Sequence, residues 1–267
     1  MQPMTPATLV PNAAYQQPFW SLPDRRVTMA SAAAMAVLFI AILSLALPES
    51  RVKILFLDWG SKYYPFTIQN IEHLFFFLGL GELFVRWRTG ARELRFTKMG
   101  FLPEDAQTVL QARDLSMLRH RVAGQFDGEH GFLPSLIDVC ILQFQSGRSV
   151  DQTVAVMSSS LELIEHRVDM RYGLVRYIAW LVPTLGFIGT VMGLGAALAS
   201  VPEDASQISL PMVARELSVG FDCTMVALGE SAILVYLLYI VNEQEEKAVN
   251  LSGTYVLRNL VNRLYAG

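Results

Sequence analysis

Two stretches of this chain run for more than twenty residues without a single charge: Val27 to Pro48 and Tyr177 to Pro202. A bilayer core about 30 Å thick takes roughly 20 apolar residues of helix, and only helices and closed barrels satisfy their own backbone groups in lipid. Both stretches are therefore expected to span a membrane. Two more runs are interrupted by acids. Phe66 to Val85 holds Glu72, His73 and Glu82, and Leu217 to Val241 holds Asp222 and Glu230. Only 17% of the residues are charged while 52% are hydrophobic. Soluble domains carry about 25% charge, so a soluble enzyme is a poor fit.

The Lys and Arg residues are unevenly placed. With the N-terminus inside, seventeen fall on the inner side and four on the outer. The positive-inside tendency then puts both termini and the long central segment in the cytoplasm. The expected order is a cytoplasmic segment 1–26, spans at 27–48 and 66–85, a cytoplasmic helical region 86–176, spans at 177–202 and 217–241, and a cytoplasmic helical tail 242–267. The first span could alternatively be a signal peptide behind Arg25 and Arg26, but its apolar run is long for that. Either way the other three spans keep their topology.

The central region reads as helical. Pro103-Glu104-Asp105-Ala106 has the form of a helix start, with Pro early and acids in the first turn. Gly124, Gly128 and Gly131 then break the chain. Leu133 to Phe144 reads as a second helix, and Ser149 to Met170 as a third. The third carries a stripe of Val154, Met157, Leu161, Ile164 and Val168 and is expected to run on into the next span. The tail repeats the pattern with Val256, Leu257, Leu260, Val261 and Leu264, so the last span is expected to extend into the cytoplasm as one long helix. The fold class is thus all-α: a polytopic membrane protein of four transmembrane helices, some reaching into the cytoplasm. The first 24 residues read as unstructured.

Sites for bond-breaking chemistry are hard to find. His73, His120, His130 and His166 match no zinc spacing with Cys140. No Walker A or G-x-S-x-G sequence occurs, and no global basic charge points to nucleic acid. With net charge −3 and two Cys there is no disulfide framework and no metal or cofactor to expect.

The informative stretch begins at Pro183. Gly189, Gly193 and Ala197 recur every four residues, a small-residue stripe that lets helix backbones approach closely. Thr190 sits near the middle of that span. On the last span Gly220, Thr224, Ala227, Ser231 and Val235 lie within about 60° of one another at 100° per residue. Such a small, mildly polar face suits a narrow wet lumen or a groove for a partner helix. The small residues are expected to let subunits ring that lumen, so that Gly189→Leu would break the oligomer.

Gly186-Phe187-Ile188-Gly189-Thr190-Val191-x-Gly193 resembles the signature of the MotA/TolQ/ExbB proton-channel family, and Phe221 to Leu228 is similar to that family's last-span motif. The likeness covers roughly residues 176–243, and the four-span order with a large inner segment resembles MotA. The resemblance implies a homopentamer around two copies of a single-span partner of the MotB/TolR/ExbD kind, whose intramembrane Asp is protonated and released. Ion flow would drive rotation in the bacterial inner membrane. Thr190 and Thr224 would line the ion path, with Gly186, Gly189, Gly193, Pro183, Gly220 and Ser231 packing the pore helices. Some relatives carry a carboxylate where Val219 stands here. Asp222 is the nearest acid, but it projects about 160° from Thr224, so it faces either the path or another helix. Glu230, Glu72 and Glu82 read better as structural groups, neutral or hydrogen-bonded at helix contacts.

Two functions follow. One is a stator-type channel subunit, a transducer rather than an enzyme, carrying protons or, since Thr hydroxyls serve either, sodium. The other is a non-conducting membrane scaffold that retains the packing motif.

Overall fold

A computed structural model of the chain describes residues 22–105, 108–123, 131–201 and 210–265. Among these residues eight helices follow in order: α1 (Arg25–Ala46), α2 (Arg51–Leu57), α3 (Ile68–Phe96), α4 (Ala112–Ala123), α5 (Phe132–Gly147), α6 (Val150–Arg171), α7 (Gly173–Ala199) and α8 (Leu210–Asn259), with a 3₁₀ turn at Val261–Arg263. Among the described residues there is no strand, and the architecture is all-α. Helix α1, helix α3, the α6–α7 pair and helix α8 are each long and apolar enough to cross a membrane.

Local chemistry sets the helix ends. Asp24 caps α1 by accepting from the Arg26 amide at 2.9 Å. Thr67 caps α3 through the Asn70 amide, and Ser149 caps α6 through that of Gln152. Helix α1 lies on α3, with Ala32 so close to Gly81 that a Cβ there would sit 2.7 Å from the alanine methyl. Much of its remaining surface is apolar and exposed, at Val37, Leu38, Ile42 and Leu45. Such a surface is stable only against lipid or another protein.

Helix α3 continues eleven residues past Val85, carrying arginines out of its apolar part. Helix α8 is unbroken for 50 residues, about 75 Å at 1.5 Å per residue. At the α5 end of the molecule, α4, α5 and the close of α8 bury one core around Leu110, Leu133, Ile137, Ile141, Phe144 and Val256. A second core, with Val168, Tyr172, Ile178, Val182 and Leu234, joins α6, α7, α3 and α8 nearer the apolar spans.

One sequence expectation changes here. Pro103 to Asp105 is not helical, and α4 begins only at Ala112. The carbonyls of Pro103, Glu104 and Asp105 turn instead to the Arg263 guanidinium, at 2.7 Å and 3.1 Å for the first two. These contacts tie the segment to the 3₁₀ turn at the chain's far end. Helix α6 runs on into α7 as expected, with only a one-residue turn between them, at Tyr172. Its hydroxyl donates into α8, to Glu245 Oε2 at 2.8 Å or the Val241 carbonyl at 3.2 Å. The segment between the first two spans contains α2. Ala106, Gly124, Gly128, His130, Pro202 and the N-terminal residues to Ser21 lie outside the described residues.

Candidate ion-path site

Close approach of α7 and α8 is the foundation of the site. A Cβ on Gly186 would fall 2.5 Å from the Ala227 Cβ, one on Gly189 2.7 Å from the Cys223 Cβ, and one on Gly193 2.7 Å from the Gly220 Cα. These four glycines let the two backbones touch. The stripe is therefore filled within one subunit. Gly189 packs on Cys223 of its own chain. The groove on the Gly220, Thr224, Ala227 and Ser231 face is likewise occupied by α7, while Val235 is exposed.

At this seam the two threonines meet. Thr190 Oγ1 and Thr224 Oγ1 are in direct hydrogen-bond contact. Thr190 Oγ1 also lies 2.9 Å from the Gly220 carbonyl, and Thr224 Oγ1 lies 2.8 Å from that of Gly186. Each hydroxyl has one hydrogen, and a carbonyl can only accept. With Thr190 Oγ1 also 3.4 Å from the Gly186 carbonyl, two hydrogens serve four contacts, so two contacts go without at any moment. The pair can pass a hydrogen along by rotating its O–H bonds. Both threonines are half-buried, and around them Phe187, Val191, Phe221 and Met225 are exposed.

Lower on the same seam, Pro183 and Ser231 form a linked pair. Proline has no N–H, so the carbonyl four residues earlier, Ala179, loses its helical donor. Ser231 Oγ donates to that carbonyl at 3.0 Å. The family likeness places both residues at packing positions without linking them.

The acids have their own partners. Asp222 faces α2, where Arg51 holds it with two bonds, Nη1 to Oδ2 at 2.5 Å and Nη2 to Oδ1 at 2.9 Å. It is buried and directed to that helix rather than to the threonines. Glu82, fully buried, accepts from Arg25 at 2.8 Å and from Arg86 at 2.9 Å, tying the start of α1 to α3. Glu230 Oε1 meets His73 Nδ1 at 2.5 Å. That pairing joins positions 157 residues apart, and sequence reasoning misses it. The available signal is that each is a polar group in an otherwise apolar span.

Beside the seam, at the α2 end, lies a cavity of about 360 Å³ lined by Asp58, Gln69, Gly189, Glu216, Val219 and Cys223 among others. Burial, with Glu216 nearby, pushes the Asp58 carboxyl above its usual range. No group of three or more His, Cys, Asp and Glu able to hold a metal ion occurs among the described residues.

Comparison with known proteins agrees with the motif. Residues 129–251 match the model of the MotA/TolQ/ExbB proton channel family. No curated protein and no solved structure matches the chain.

Proposed function

We propose that this chain, whose residues 129–251 match the model of the MotA/TolQ/ExbB proton channel family, is a member of that family and a stator-type subunit coupling ion flow to mechanical work. The observation that carries this reading is the Thr190–Thr224 pair: two hydroxyls in contact, at a half-open seam, deep in apolar helices. Each can donate and accept, so the pair can relay a proton or cap the carboxylate of an incoming helix. The exposed apolar side chains flanking it suit a ring of identical subunits, most simply a homopentamer, and a single-span partner bearing an intramembrane Asp, present in two copies. The ion is the proton. Charge crossing the potential yields ~2.3 kcal/mol per elementary charge per 100 mV, enough to bias a step between nearly equivalent positions. In this reading the protein sits in the bacterial inner membrane with both termini and the α5 end in the cytoplasm, following the Lys and Arg distribution.

The scaffold alternative also has an observation behind it, since both hydroxyls already have backbone carbonyls to donate to. Valine substitution separates the two. Valine keeps the shape of threonine and removes the hydroxyl. In proteoliposomes holding the activated complex with its partner, Thr190→Val and Thr224→Val are expected to cut proton flux at least tenfold while expression and native mass stay unchanged. Flux equal to wild type in both variants overturns the channel reading and favours the scaffold. A current carried by sodium and not by protons overturns the choice of ion.

A further inference from the structure

Glu72 sits one turn inside α3, is wholly buried, and has no hydrogen-bond partner for either carboxyl oxygen. Other buried polar atoms nearby are equally open: the amide oxygen and nitrogen of Gln69, Oδ1 of Asn70, and Oε2 of Glu230. Buried polar groups in proteins are nearly always hydrogen-bonded, so these open atoms, all acceptors except the Gln69 nitrogen, mark a place for hydrogen donors.

The neighbouring imidazole defines the proton count. His73 Nε2 lies 2.9 Å from the Phe56 carbonyl. A carbonyl only accepts, so Nε2 carries its hydrogen. Nδ1 faces Glu230 Oε1 at 2.5 Å, and one further hydrogen lies between them. Whether it resides on the ring or the carboxyl, the His73–Glu230 pair is neutral overall. Glu72 receives no share of it. Ionised, Glu72 would stand as a fully buried negative charge with no donor to either oxygen. The groups around it give no relief: Asp222 is held by Arg51, Cys223 is a buried thiol, Asp58 is an acid, and α1 presents the edge of Phe39 to His73.

A route reaches the site. Gln69, one helical turn from Glu72, also lines the cavity at the α2 end. That cavity is polar on one side and roomy enough for water. Asp58 and Glu216 line it and favour cations there. We propose that Glu72, beside the neutral His73–Glu230 pair, is a proton-holding site inside the membrane, loaded and emptied through this cavity by way of the Gln69 amide. The step balances: one O–H bond of hydronium from the cavity breaks as an O–H bond forms on a Glu72 carboxylate oxygen, leaving water and the neutral acid, and release is the reverse. The Gln69 amide orients the water by hydrogen bonds and keeps its own protons. The site extends the channel reading without depending on the threonine pair.

Infrared difference spectroscopy on the full chain in lipid nanodiscs tests it. Wild type is expected to show a buried carboxylic-acid C=O band at neutral pH that shifts on transfer to D₂O. Glu72→Gln removes the band, Thr190→Val leaves it, and Gln69→Leu slows its shift at least tenfold. A band unchanged by Glu72→Gln overturns the site, and exchange in Gln69→Leu as fast as wild type overturns the route. A second measurement needs no variant: dicyclohexylcarbodiimide, which reacts with protonated carboxyls in apolar surroundings, is expected to mark Glu72 in peptide mass maps of the wild-type chain. An unmarked Glu72 counts against the site. Because the band survives in Thr190→Val, failure of the threonine assignment and failure of this one are read separately.

Discussion

Pro183 leaves one carbonyl of α7 without a donor, and Ser231 on the neighbouring helix supplies it. That exchange shows how the seam is built residue by residue. The glycines make the sharpest case. A methyl on Gly193 meets the Gly220 Cα at 2.7 Å and the Glu216 carbonyl at 2.9 Å, both backbone, so neither can swing aside. Gly195, two residues on, would have nothing within 4 Å of an added methyl. Gly193→Ala is expected to lower the thermal stability of the purified protein by about 1–3 kcal/mol through overpacking. Gly195→Ala is expected to be neutral or to stabilise by up to ~1 kcal/mol, as alanine favours the helix. Melting both variants in detergent checks the contrast. These positions were legible in the sequence because small and hydroxyl-bearing residues stand out in an apolar run. What α7 touches was not, since helical periodicity gives a face but not the neighbour that covers it. The same limit hid the His73–Glu230 and Arg51–Asp222 pairs.

Among elements, the junction of α3 with α5 is tuned by Glu93. Its Oε2 accepts from the Phe132 amide at 2.7 Å, at the first residue of α5. Burial raises its carboxyl from 4.5 to about 7, against the lowering pull of Arg92 and that amide. A folded-state value above the unfolded one means that the protonated form is favoured in the fold. The associated stability is complete below about 4.5 and is lost as pH rises to about 7, amounting to roughly 3 kcal/mol. Thermal stability is therefore expected to fall between about pH 4.5 and pH 7, and Glu93→Gln is expected to flatten that slope. A slope unchanged in the variant would assign it to other groups. Helices α5, α6 and α8 could be read from periodicity, whereas α4 began nine residues after its expected proline start. There the Pro103 and Glu104 carbonyls meet Arg263, from the far end of the chain, a contact no local pattern reveals.

Across the whole molecule, the Lys and Arg asymmetry puts Ser146, exposed near the end of α5, on the inner side and Lys62 on the outer. The native thiols are buried, and burial pushes that of Cys140 up to about 12, so they leave little background. In intact cells an impermeant maleimide is expected to label Lys62→Cys strongly and Ser146→Cys weakly. The reverse pattern would invert the orientation.

Helix α8 carries Thr224 at the seam and Val256 in the core at the α5 end, about 48 Å apart along one uninterrupted rod. A rod without a joint cannot let its ends keep separate time. A twist imposed where the threonines meet is delivered as torque to the distant core, as a drive shaft delivers it, so whatever docks on that core feels the movement of the seam without any diffusing messenger.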